Sequence, residues 1–291
     1  MKVFWVLLFM LLAVSTSFSQ DKKLNIIVFG AHPDDCDEKA GGTAILWAKM
    51  GHHVEFVSLT NGDKGHQTMG GGQLAKVRMA EAQEAAKRFG IDKYVVLDHH
   101  DGELLPTLDI RLQIIRLIRE WHADVVIAPR PNDYHPDHRY TGVLIQDAAY
   151  MVIVPNVAPD VPALHDNPVF MYAQDRFQHP NPFTPDVSVD ISQVFSQKVY
   201  ALAGHKSQMF EWLPWTDHVL DQVPKDDKAR LEWLAKYRQR PIGADVRASL
   251  VKWYGADKGN KATNAESFEV CEYGKQPTDS ELKMLFPMLG K

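Results

Sequence analysis

The segment Gly30-Ala31-His32-Pro33-Asp34-Asp35 constrains this chain more than any other stretch. It directly follows Leu24-Asn25-Ile26-Ile27-Val28-Phe29, an apolar run with the length of a fully buried strand. Two carboxylates and an imidazole at the end of such a strand are costly to keep near a core unless something binds them. A second segment of the same kind, His135-Pro136-Asp137-His138, comes shortly after the apolar run Val125-Val126-Ile127-Ala128. A fold that sets these two buried strands side by side would bring both segments to one place, whatever their separation along the chain.

The order of elements predicts such a fold. Helices are expected over 38–50, 73–89, 108–121 and 140–151, the first two stopped by Gly51 and Gly90. Strands are expected over 24–29, 54–59, 94–97 and 125–128, and the glycine-rich stretch 60–72 reads as a loop. Regular strand–helix alternation predicts an α/β fold, a Rossmann-like parallel sheet with helices on both faces. Ligands in such sheets sit outside the carboxyl ends of the strands, where the strand order reverses. After about residue 152 the pattern loosens. Strands over 169–173 and 187–191 and helices over 194–203, 231–238 and 247–254 are the clearest later elements. No repeat or linker interrupts the chain, so one domain is expected over 20–291. Its core would span about 24–208, with an elaborated C-terminal extension over 209–291.

Met1-Lys2, an apolar run over 3–14 and the small residues Ser15 to Ser19 form a secretory signal peptide over 1–19, with cleavage near Gln20. The expected localisation is secreted or periplasmic. No later stretch is long and apolar enough for stable membrane insertion after signal removal. A net charge of −5 with no basic block argues against nucleic-acid partners. The two cysteines, Cys36 and Cys271, allow either one disulfide or two separate buried thiols.

His32 and Asp35, three residues apart, together with His138 supply two imidazoles and one carboxylate, the donor set of a catalytic Zn2+ site. Zinc acts there as a Lewis acid on a carbonyl and on water. Asp34, beside a ligand, suits a general base. His135, one turn before His138, suits oxyanion stabilisation or protonation of a leaving amine. Asp137 suits holding an imidazole in one tautomer. His32-Pro33-Asp34 with a distant His also fits the facial triad of an iron(II) oxygenase, although strand–helix alternation argues against the all-β barrel expected there. A non-catalytic sugar-binding protein is a third reading, and the complete ligand set beside Asp34 argues against it. No glycine-rich fingerprint follows the first strand, which excludes a dinucleotide site.

Further segments join these two: Gly41-Gly42-Thr43, Gly51-His52-His53-Val54, Leu59-Thr60-Asn61-Gly62, Arg78-Met79-Ala80-Glu81, Asp101-Gly102, Pro131-Asn132-Asp133-Tyr134 and His205-Lys206-Ser207-Gln208. With them, the sequence resembles the LmbE-like, or PIG-L, family of zinc-dependent N-acetyl sugar deacetylases from about Leu24 to Gln208. The resemblance implies Zn2+ held by His32, Asp35 and His138, Asp34 as base and His135 as electrostatic or acid partner. It also implies a substrate pocket lined by Arg78, Asp101 and His205. The implied substrate is an N-acetylated amino sugar or glycan, with another N-acyl conjugate as the alternative. The chain departs from the family pattern at Cys36-Asp37-Glu38, where the acidic residue usually comes sooner; that leaves the place of Glu38 open. In the extension, Trp212, Trp215, Trp233 and Trp253 carry aromatic faces that either stack on sugar rings or fill a core.

Overall fold

Residues 22–291 are described by a computed structural model; the expected signal peptide lies outside the described residues. Strands β1 (Asn25–Gly30), β2 (His53–Thr60) and β4 (Val125–Ala128) are buried almost throughout. This is what strands covered on both faces require. Alternate side chains feed two cores. Ile26, Val28, Val54 and Phe56 pack beneath α1 (Asp35–Lys49) and α2 (Gly71–Phe89). Ile27, Phe29, Val57 and Val126 pack beneath α3 (Leu108–Glu120) and α4 (Pro136–Met151).

With β3 (Lys93–His99) and β5 (Val169–Ala173), the parallel part of the sheet runs β3-β2-β1-β4-β5. The chain steps outward from β1 in one direction and resumes at β4 in the other. β1 is therefore the reversal point, and it pairs in parallel with both β2 and β4, Ile27 lying opposite Val126. The two His/Asp segments leave the carboxyl ends of these neighbouring strands together.

Past β5 come β6 (Val187–Asp190), α5 (Phe195–Leu202), a π-helical turn over Gln208–Trp212 and α6 (Leu213–Thr216). Then follow α7 (Asp227–Arg238), α8 (Ala244–Gly259), β7 (Ala265–Gly274) and α9 (Asp279–Leu285). β7 runs antiparallel between β5 and β6, so the sheet is mixed rather than wholly parallel. No strand is evident in the sequence there because Glu266, Glu269 and Glu272 interrupt its apolar pattern. Glu266 is nonetheless buried. Its carboxylate accepts from the amides of Gly42 and Thr43, the Thr43 hydroxyl and the Lys198 ammonium. The C-terminal extension thus contributes a strand to the same sheet. Cys36 and Cys271 are separate buried thiols, their Sγ atoms donating to the Val28 carbonyl and the Tyr172 hydroxyl.

Candidate metal and active site

Helices α1 and α4 both start inside the His/Asp segments, earlier than hydrophobic periodicity indicates. Asp35 is the first residue of α1, and its Oδ2 accepts from the amides of Ala31 and His32 at 2.9 and 2.8 Å. His135 is the N-cap of α4; its Nδ1 accepts from the Asp137 amide, and Pro136 opens the helix. At α4 a polar side chain thus satisfies an amide that the first helical turn leaves unpaired; at α1 no side chain caps the helix, and Asp35 instead fixes the loop that precedes it.

Three donor atoms converge between the two helix starts. His32 Nδ1 lies 3.2 Å from His138 Nε2, His138 Nε2 lies 3.3 Å from Asp35 Oδ2, and His32 Nδ1 lies 3.5 Å from Asp35 Oδ2. Ligands about 2.0–2.1 Å from a tetrahedral zinc stand roughly 3.3–3.4 Å apart, so this triangle has the size of a zinc face. The opposite nitrogen of each ring meets carboxylates. His32 Nε2 faces Asp101 Oδ1 at 3.1 Å and Asp137 Oδ2 at 3.3 Å, and His138 Nδ1 faces Asp133 Oδ1 at 3.1 Å. Such contacts fix ring orientation and tautomer, leaving the inward nitrogens as donors. A looser set also surrounds His32: His135 with His138, or His135 with Asp101 and Asp137, each with donor atoms within 4.8 Å of one another. The Asp35-containing triangle is tighter and leaves the carboxylates around His32 Nε2 to their orienting contacts.

Charge follows geometry. Burial opposes ionisation of Asp35, yet His138 and His32 hold its carboxyl well below the usual range. Burial alone would lower His138, but Asp35 and Asp133 raise it to about 9. Asp101 and Asp137 likewise hold His32 well above an ordinary histidine against its burial. His135 is pushed the other way, by burial and by the neighbouring imidazoles.

Asp34 occupies a strained position, with φ 140° in a non-glycine residue. Its amide donates to the Tyr94 hydroxyl, which donates to Asp37 Oδ2, whose Oδ1 meets His205 Nε2 at 2.9 Å. Its side chain is gripped separately: Oδ2 accepts from Gln208 Nε2 at 3.0 Å, and Oδ1 lies 3.6 Å from Arg78 Nη2. Burial pushes the Asp34 carboxyl up, and the Arg78 guanidinium opposes that shift. Arg78 also donates to the Pro33 carbonyl. Gly62, at φ +68°, passes so close that a Cβ there would meet Pro33 and Arg78 at 3.2 and 3.3 Å.

Of the residues named from sequence, His32, Asp34, Asp35, Asp101, His135, Asp137 and His138 gather at the carboxyl ends of β1 and β4. Arg78 and His205 stand behind Asp34, 1% and 0% exposed, in contact with the network that holds it. Glu38 pairs with Arg238 of α7. Asp37, Tyr94, Asp133 and Gln208 were not singled out. Asp133 and Gln208 lie inside quoted motifs, and a carboxylate two residues before His135 was the available signal. Tyr94 reads as an ordinary strand aromatic.

A family profile described as PIG-L, GlcNAc-PI de-N-acetylase, matches residues 27–149. The chain is 31% identical over 214 residues to a diacetylchitobiose deacetylase of Thermococcus kodakarensis, spanning 71% of this chain and 78% of that protein. In three dimensions it is similar to N,N'-diacetylchitobiose deacetylase from Pyrococcus horikoshii, with TM-score 0.64 and 23% identity over 84% of this chain and 83% of that one. It is also similar to a 4-carboxy-2-hydroxymuconate hydratase from Pseudomonas putida, with TM-score 0.66 and 18% identity over 88% and 99% of the two chains. At these identities the three-dimensional likeness is one of fold, and a fold hosts more than one chemistry.

Proposed function

Because this chain belongs to the PIG-L family of deacetylases, we propose that it is an exported, zinc-dependent enzyme that removes the N-acetyl group of an amino sugar or glycan. The observation that carries this reading is the donor triangle of His32, Asp35 and His138 with the buried Asp34 carboxylate one residue from a ligand. Two imidazoles and one carboxylate suit zinc. When bound, zinc supplies Lewis acidity toward an acyl carbonyl and toward water. Asp34 takes a proton from the attacking water as the new C–O bond forms. His135, whose ring stands 4.7 Å from that of His32 by centroids, donates to the acyl oxygen as negative charge develops. As the C–N bond breaks, the proton held by Asp34 passes to the departing nitrogen, giving acetate and a free amine. Asp101, Asp133 and Asp137 orient the rings, and Arg78 and Gln208 aim the base.

Acetate release is the direct test. Zinc-loaded protein assayed against N-acetylglucosamine, N-acetylgalactosamine, chitin oligomers and non-sugar N-acetyl amides is expected to act on the amino sugars. Activity confined to the non-sugar amides would reassign the substrate to another N-acyl conjugate and leave the metal site standing. Export rests on the charged start and short apolar run at the N-terminus. N-terminal sequencing of the exported protein is expected to begin near Gln20; an intact Met1 refutes cleavage.

A further inference from the structure

Among the described residues, Trp47, Trp121, Trp233 and Trp253 belong to the hydrophobic clusters or pack against them. Trp212 and Trp215 belong to none. They stack on each other instead, with ring centroids 5.2 Å apart and planes 16° apart, and Trp215 is 47% exposed. Two large apolar rings held in parallel at a surface give up hydrophobic burial, which a ligand restores.

Their position says which ligand. The pair rides on the π-helical turn and α6, the segment that also delivers Gln208 to Asp34. A Cβ built on Gly65 would lie 3.3 Å from Asp101 Oδ2 and 3.6 Å from Trp212 Nε1, so Trp212 and Asp101 approach one another across that glycine. Asp101 in turn touches His32. The neighbouring loop residue His66 is clamped to Glu211 at 2.7 Å, fixing the loop against the same segment. A chain of neighbouring side chains thus links the donor triangle through Asp101 and Trp212 to Trp215. Tyr134, 75% exposed, stands beside His138.

We propose that Trp212 and Trp215 form an outer subsite that stacks a second pyranose, so that the preferred substrate is a chain of two or more N-acetylated amino sugars rather than a free monosaccharide. This rests on the amino-sugar reading above. A pyranose whose substituents are equatorial turns C–H groups outward on both faces, and these meet the negative face of an indole favourably. The contacts from His32 to Trp215 pass through Asp101 and Trp212, which sets Trp215 outside the donor triangle, on the side where a neighbouring residue of a chain would lie.

Calorimetric titration of Asp34→Asn protein, which turns substrate over slowly, with triacetylchitotriose and with N-acetylglucosamine tests this. The trisaccharide is expected to bind at least about tenfold more tightly. Adding Trp215→Ala is expected to erase that advantage, and Trp215→Phe to keep it within about threefold. Trp215 is exposed, so these variants leave the packed core intact. In the active enzyme, Trp215→Ala is expected to raise KM for chitotriose about tenfold with little change in kcat. Equal affinity for the two sugars, or a trisaccharide advantage that survives Trp215→Ala, overturns the subsite; deacetylation of either sugar would then leave the amino-sugar reading intact. Hydrolysis confined to non-sugar amides, with no calorimetric binding of either sugar, overturns both.

Discussion

Asp34→Asn is expected to retain its metal and fold while losing on the order of 10²–10⁴ in kcat, the usual worth of a positioned acid–base group. The reasoning is local. The substitution removes the proton acceptor but keeps the shape, and the new amide oxygen still accepts from Gln208 Nε2, as Asp34 Oδ2 does now at 3.0 Å. The backbone constraint through the Tyr94 hydroxyl is untouched. KM is expected to move little, because the interaction lost belongs to the transition state. Metal content measured beside kcat decides the role. A variant that loses both would place Asp34 among the ligands, and a variant that keeps near-normal kcat would remove it from the mechanism.

His138→Ala is expected to abolish stoichiometric zinc binding and, with it, activity. It takes one corner from the triangle and leaves Asp35 facing a single imidazole. Elemental analysis after dialysis checks this, and full zinc retention overturns the assignment. The same corner predicts a pH dependence. In metal-depleted protein, Asp35 and Asp133 raise His138 to about 9, and His32 is raised well above an ordinary histidine. His138 is then protonated near pH 7, and zinc must displace that proton. Binding is therefore expected to release about one proton from His138 near pH 7 and to tighten as pH rises toward about 9. Calorimetry in buffers of different ionisation enthalpy reads the proton count, and a count of zero overturns the ligand set. The sign for folding is opposite. A raised imidazole pKa stabilises the metal-depleted protein fully below the ordinary histidine value of about 6.5, and that contribution fades as pH climbs through about 9.

The reversal point of the sheet was legible because β1 and β4 are continuous apolar runs that end in ligand-type residues, a conflict that only binding resolves. The family resemblance implied the roles, and the pairing of β1 with β4 shows why residues a hundred positions apart lie together. What escaped reading was polar chemistry hidden in apolar surroundings. Arg119 scans as a surface charge on an amphipathic helix. It is instead fully buried, donating to the carbonyls of Met151, Val152, Val154, Val157, Ala158 and Val161 and so organising the turn after α4. Glu266 hid β7 in the same way. Asp133 and Gln208 stand inside motifs legible in the sequence, but which atom each faces is set by packing rather than by residue type.

The π-helical turn over Gln208–Trp212 carries one residue more than an α-helical turn of the same span would hold. That surplus sets the phase of everything after it. Removing one residue there would rotate the following side chains by roughly 100°, swinging Trp212 away from Gly65 while Gln208, upstream of the change, kept hold of Asp34. With the subsite proposed above, a single insertion or deletion at this point is expected to change which glycan is bound while leaving the Gln208–Asp34 contact in place.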